Sequence, residues 1–347
     1  MTRPTPLGGL TELKAVLQLA IGVRLSIIPV HLAALWSIEE GRNTGAARTI
    51  RGVVMEEMLH LTLTANVLNA LGETPSPAPV AFRGHEHLSP LSDYPVDNPL
   101  IAGIGTLRLL PLSPQAVDCF VRIRHPLHGA ADVREIEAGA CGYRTAGEFH
   151  DAIATALADP AICPDTVFRH RHQVPDSQYY GGAGQVVEVG DRASALRAVR
   201  MCSPSSSPYA RFRELRTGHR FRTGQSADEE PRGDLLPVDY GAVHPALFVP
   251  RDGDPAEGPE TAALIEFDLA YSRLVDVLYA AFCGERTALA TAVHGMYALR
   301  HRAVALMRTP LPADPAHTLC PRFSYLPPGD REKAARQAGE LRERGSR

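Results

Sequence analysis

The sequence predicts an all-α-dominated fold: a helical bundle with additional helices, long ordered loops and at most a short β hairpin. Three observations carry this. Apolar residues recur at helical spacing over four long stretches, 11–38, 46–71, 260–283 and 286–307. Proline and glycine, 29 of each, concentrate between such stretches. Alternation of the β kind is confined to Gln185–Val189. One domain over 1–330, followed by a charged tail at 331–347, accommodates the pattern.

In chain order, Thr11–Ile38 becomes almost continuously apolar after Ala15, which describes a helix buried on most sides. Pro29 interrupts it, removes a hydrogen bond to the Leu25 carbonyl and predicts a kink one turn earlier, beside Arg24. Ala46–Leu71 ends at Gly72, a favourable carboxy-terminal cap, and the short connection makes the two helices antiparallel. Residues 73–99 carry six prolines and read as a long ordered loop. The bundle segment 98–157 comprises Asn98–Ile123, interrupted by Pro111 and Pro114, and Thr145–Leu157, which opens on a capping box from Thr145 to Glu148. After the Gln185–Val189 strand, helix covers 192–217 with a break at Cys202–Ser207, and 222–260 is loop. The closing helices fall within 260–307 and are counted among the bundle helices, with 11–38, 46–71, 98–157 and 192–217.

Composition excludes several function classes. The formal charge is -3, and no block of Lys or Arg offers a nucleic-acid footprint. The most apolar stretch, Leu25–Trp36, contains Pro29 and His31 and is shorter than the roughly 20 residues a membrane span needs. Met1–Gly9 lacks the apolar run of a signal peptide, so a cytoplasmic location is expected. Six cysteines without a CxxC pair suit reduced thiols.

Chemistry concentrates in Val53–Leu61, where Glu56, Glu57 and His60 interrupt an apolar helix. A carboxylate in a low-dielectric interior is costly unless a cation or metal faces it. Glu57 and His60, at i and i+3, have the Glu-x-x-His spacing with which helical bundles hold iron or manganese. Two placements are open: a solvated helix edge, or a buried site.

Several stretches, in this order, resemble the ferritin-like domain family related to iminophenyl-pyruvate dimer synthases of bisindole pigment biosynthesis. They are Ile28-Pro29 within Leu25–Ile38, Val53–Gly72, Tyr143–Ile153, Tyr179–Gly184 with Ala193–Ala198, Arg211-Phe212, and Met296–Pro312. The resemblance implies a ferritin-like four-helix bundle with ligands from four helices: a Glu, a Glu-x-x-His pair, a second Glu, and a further Glu with a His. Glu57 and His60 match the pair, and Glu148 matches the third-helix acid. Arg24 stands at the first-helix glutamate, Met201–Ser207 replaces the stretch that carries the next acid, and Pro208 stands at the final histidine. By this alignment three of six ligands are lost.

A guanidinium can stand opposite carboxylates in place of a metal, so an Arg24–Glu57–Glu148 network is expected at the former metal position. The other course for Arg24 is to reach solvent along its own stem. His31, seven residues on, shares its helical face. His31 and His60 are either structural or acid/base groups. Tyr179 and Tyr180 are candidates for a pocket wall, and Arg211, Tyr297, Arg300, His301 and Arg308 for gripping a substrate. The functional expectation is a small-molecule enzyme of specialised metabolism, without cofactor, performing acid/base-assisted cyclisation, coupling or rearrangement. One alternative retains iron on Glu57, His60 and Glu148, with Glu56 or His150 completing the shell, as a non-haem oxidase or imine-coupling enzyme. Another is a non-catalytic carrier or partner subunit. The expected partners are a small-molecule substrate and either a second copy of the chain or a biosynthetic partner enzyme, with neither nucleic acid nor membrane.

Overall fold

In the computed structural model the described residues are 6–345, apart from 90, 92, 99, 126–141, 180–181, 204–205, 227 and 252–257. Helix α1 (Leu10–Ser37) and helix α2 (Thr44–Ala70) pack along their lengths as the two apolar runs require. Helices α4 (Ala146–Ala158) and α5 (Arg192–Cys202) pack on each other, α4 against α1 and α5 against α2, and complete a four-helix bundle. α3 (Pro114–Ile123) and α6 (Ser206–Thr217) pair beside it.

α1 stays helical through Pro29. The Ser26 carbonyl, one turn earlier, accepts the Tyr94 hydroxyl at 2.5 Å. By length and composition α1 is apolar enough to cross a membrane, but 83% of its most apolar 18-residue window is buried in the protein core.

α7 (Pro259–Phe282) and α8 (Ala288–Met307) are helical as the sequence predicts, and they pack on each other as a pair that follows the four bundle helices. The 331–347 stretch departs from the expected solvated tail. It contains α9 (Arg331–Gly345), whose Ala334, Ala338 and Leu341 are buried against Ala262, Ile265, Leu269 and Leu326. That stripe is mostly alanine, too weakly apolar to register among so many charges. α7 is also tied to the chain before α9: Asp268 accepts from Arg322 Nε at 3.0 Å and from the Ser324 amide at 3.2 Å, and Ser272 Oγ accepts from the Leu326 amide at 2.8 Å.

Two local expectations are corrected. A single 3-10 turn at Ala102–Ile104 aside, Asn98–Ile123 is α-helical only from Pro114. Before it, β3 (Val96–Asp97) pairs antiparallel with β4 (Thr106–Leu107). Pro114 takes the first helical position, where a missing N–H costs nothing, and Ser113 caps it by accepting the Ala116 amide at 3.2 Å. Gln185–Val189 is extended but pairs with no strand, because side chains serve its backbone. Asn66 Nδ2 donates to the Val187 carbonyl at 3.1 Å, Asp176 Oδ1 accepts the Val186 amide at 2.7 Å, and Gln173 Oε1 accepts the Val189 amide at 2.9 Å. Ladder partners are unnecessary where buried amides fill the role.

The short strands lie elsewhere, in three small sheets among the described residues. Besides β3 and β4, β1 (Val80–Phe82) pairs with β2 (His85–Leu88). β7 (Asp314–Leu319) lies between β6 (Pro310–Leu311) and β5 (Ala246–Leu247), antiparallel to β6 and parallel to β5.

Candidate functional site

Each helix of the bundle sends at least one group to its centre. Arg24 on α1 is buried, with 7% of its side chain exposed, and Glu57 on α2 is wholly buried. Arg24 Nη1 donates to Glu57 Oε2 at 2.7 Å. Its Nη2 donates to His150 Nε2 on α4 at 2.8 Å and to the carbonyl of Cys202, the last residue of α5, also at 2.8 Å. That carbonyl lacks an intrahelical partner by its position, so a cation there meets the negative end of the helix. His150 Nδ1 donates to the Ala146 carbonyl at 2.6 Å, which leaves Nε2 as the acceptor that Arg24 needs.

A second guanidinium completes the charge arrangement. Arg124, at the carboxy-terminal cap of α3 and 3% exposed in its side chain, brings Nη2 against Glu57 Oε1. The pair is a close charge contact off the N–H axis, and neither Nε nor Nη2 of Arg124 has a hydrogen-bond partner among the described residues. Burial would raise the Glu57 carboxyl, but Arg124 and then Arg24 outweigh it and hold the group ionised, well below the usual carboxylate range.

Three imidazoles surround this core, and all are held neutral near pH 7. Burial, with the Ile27 carbonyl opposing it, brings His31 down to about 4. Burial and then Arg24 bring His150 down to about 3. The same two causes hold His60 well below the ordinary histidine value. His31 Nδ1 donates to the Ile27 carbonyl at 3.0 Å, and its ring stacks on Phe120, with centroids 4.4 Å apart, and on Phe212 at 5.5 Å. Its Nε2 is therefore a buried lone pair without a partner among the described residues. His60 Nδ1 lies 3.9 Å from Glu57 Oε2, too far for a hydrogen bond, and is likewise unpartnered.

The structure brings Arg24, His31, Glu57 and His60 together, and corrects the rest of the expected network. Glu148 does not face Arg24. It sits in the first turn of α4, where Arg144 engages it through Nε at 3.0 Å, Nη2 at 2.7 Å and its backbone amide at 2.8 Å, while Thr145 Oγ1 caps the Glu148 amide at 3.2 Å. These contacts across i, i+4 and i, i+3 hold the carboxylate at the helix end. His150, two residues on, takes the inward position.

Arg211 pairs with Glu56 beside the centre. The Tyr179 hydroxyl donates to the Met55 carbonyl at 3.3 Å, a contact that positions a loop on α2. Tyr297, Arg300 and His301 are exposed on α8, and Arg308 lies 3.9 Å from Glu40 at the surface, so the bundle centre recruits none of them. Tyr180, Gly181, Pro204 and Ser205 lie outside the described residues.

A carboxylate and histidine metal centre requires lone pairs converging on one cation. Here the Arg24 guanidinium takes Glu57 Oε2 and His150 Nε2, and Arg124 faces Glu57 Oε1. A divalent ion would have to enter between two positive charges, so these residues do not fit iron. No group of three or more His, Cys, Asp or Glu side chains among the described residues is placed to hold a metal.

The comparisons with known proteins agree with the bundle. A crystal structure of a ferritin like protein from Caulobacter vibrioides aligns with a TM-score of 0.63 and 21% identity, over 92% of this chain and 99% of that one. A search of curated proteins gave no match. The family model described as Ferritin-like matches residues 17–203, from the first turns of α1 to the end of α5, so the match spans the four helices that enclose Arg24 and Glu57. With more than half of its length matched in this way, the chain belongs to the ferritin-like family.

Proposed function

We propose that this chain is a small-molecule enzyme of specialised metabolism that works from the bundle centre without a bound metal, by acid/base-assisted cyclisation, coupling or rearrangement. The observation that carries the reading is Arg24, whose guanidinium joins α1, α2, α4 and α5 where a ferritin-like centre would gather metal ligands. The resemblance to iminophenyl-pyruvate dimer synthases, carried by Glu57, His60 and the flanking stretches, suggests an organic substrate.

The residues divide the labour as follows. His31, neutral and with Nε2 free, is the group able to accept a proton and return it. Arg124, with unpartnered N–H donors, stabilises negative charge that develops on a substrate as a proton leaves. Glu57 holds both arginines and stays ionised throughout. Arg24 positions Glu57 and His150.

The test uses protein stripped with a chelator and the intermediate that accumulates in a strain deleted for this gene. Turnover is expected to survive chelation, to fall by about 10²-fold or more in His31→Gln, the usual contribution of an acid/base group, and to persist at wild-type KM in that variant. Turnover that disappears on chelation and returns with iron would overturn the reading in favour of an iron oxidase. Normal flux through the pathway without this protein would overturn it in favour of a non-catalytic partner.

A further inference from the structure

The bundle centre carries an excess of positive charge among the described residues. Among the described residues Arg24 and Arg124 share one carboxylate, Glu57, and the adjacent Arg211 is already matched by Glu56. Both terminal nitrogens of Arg24 are engaged, by Glu57, His150 and the Cys202 carbonyl. The surplus therefore falls on Arg124, whose side chain is 3% exposed and whose Nε and Nη2 both lack hydrogen-bond partners. A buried guanidinium that must share its counter-ion with a second cation is costly for a core to hold.

The unpartnered atoms have a shape as well as a sign. Nε and Nη2 form the side-on fork of the guanidinium, which presents two nearly parallel N–H donors spaced for two oxygens of one planar anion. Glu57 Oε1 touches Nη2 off that axis and leaves the fork unfilled.

We propose that Arg124 holds one planar monovalent oxyanion, of the formate, bicarbonate or nitrate type, on its Nε and Nη2 fork at the centre of the bundle. One negative charge brings the arginines and carboxylates of the cluster to balance. Two oxygens supply the acceptors that the fork lacks. A spherical halide would meet the charge but only part of the geometry. The anion takes the same donors that the proposed enzyme turns on its substrate, which displaces it during turnover. The site itself rests on charge and donor geometry, so binding without turnover, or turnover without binding, separates this proposal from the enzymatic one.

Equilibrium dialysis of the full chain at pH 7 with labelled formate tests it, with nitrate, bicarbonate and chloride as competitors. The expected result is one saturable equivalent, displaced by nitrate and bicarbonate and about tenfold less well by chloride. Arg124→Gln is expected to weaken binding by about tenfold or more, while the exposed Arg300→Gln leaves it unchanged. If Arg124→Gln does not fold by circular dichroism, Arg124→Lys keeps the charge without the fork and is expected to lose the preference for formate over chloride. The proposal is overturned by an absence of saturable binding, by equal displacement with chloride and nitrate, by undiminished binding in folded Arg124→Gln, or by an unchanged preference in Arg124→Lys.

Discussion

Glu57→Gln is expected to lower the free energy of unfolding by about 3–5 kcal/mol, the usual cost of removing one partner from a buried ion pair. The glutamate is wholly buried and is the one carboxylate among the described residues in contact with both Arg24 and Arg124. Its neutral amide leaves two interior guanidiniums facing each other. Urea denaturation checks this, and a second variant separates charge from packing. Arg24→Met combined with Glu57→Gln removes one cation together with the anion, so its loss is expected to fall short of the sum of the single losses. Additive losses would mean that the pair is not coupled.

Acid is expected to unfold this protein from a higher pH than carboxylate titration alone would require. His31, His60 and His150 are neutral in the folded chain, whereas an unfolded histidine protonates near 6.5. Below that value the unfolded state binds more protons, so their contribution is complete above pH 6.5. It drains as pH falls toward about 4 for His31 and about 3 for His150. Each such histidine supplies a slope of about 1.4 kcal/mol per pH unit inside its window. Glu57, depressed rather than raised, keeps its contribution until stronger acid.

Asp268 works in the opposite direction. Burial lifts its carboxyl from 3.8 to about 7 against the pull of Arg322, so the folded state holds a proton there that the unfolded state has released. Stability from that group rises as pH falls through the window and offsets about one histidine. The net expectation is a loss of several kcal/mol between pH 6.5 and 4, read from urea midpoints, with His150→Asn lowering the slope by about 1.4 kcal/mol per unit. A stability profile flat from pH 7 to 4.5 would contradict the neutral-histidine description.

The uneven legibility of the site in the sequence has physical causes. Arg24 stands out because a cation interrupts one of the longest apolar runs in the chain, and Glu57 with His60 stands out for the corresponding reason on α2. Arg124 does not stand out. It follows Ile123 at a helix end, where a cation is ordinary, and nothing local says that its side chain runs inward.

His150 and Glu148 lie about 200° apart on one helix, so only one of them can face the centre. Arg144, four residues before Glu148, and Thr145, three before, are the local signals that Glu148 belongs to the helix end. Family resemblance points to the acid, while capping and pairing point to the histidine. The Cys202 carbonyl is a backbone group, visible only once α5 is seen to stop at Arg24.

The fold shows the same division. Long apolar runs with clear ends gave α1, α2, α7 and α8 to within a few residues. Elements whose stability comes from tertiary partners were obscure: α9 has its alanine stripe against α7, and the 185–189 segment has its backbone satisfied by Asn66, Asp176 and Gln173.

A guanidinium that stands in the place of a metal ion, as proposed for Arg24, leaves no site for iron or manganese. Anaerobic titration of the chelator-stripped wild-type chain with iron(II) and manganese(II), followed by desalting and elemental analysis, tests it most directly. Wild type is expected to retain neither ion, whereas Arg24→Glu, which removes the cation and returns an acid beside Glu57 and His150, is expected to retain one. A stoichiometric metal ion held by the wild-type protein would contradict it.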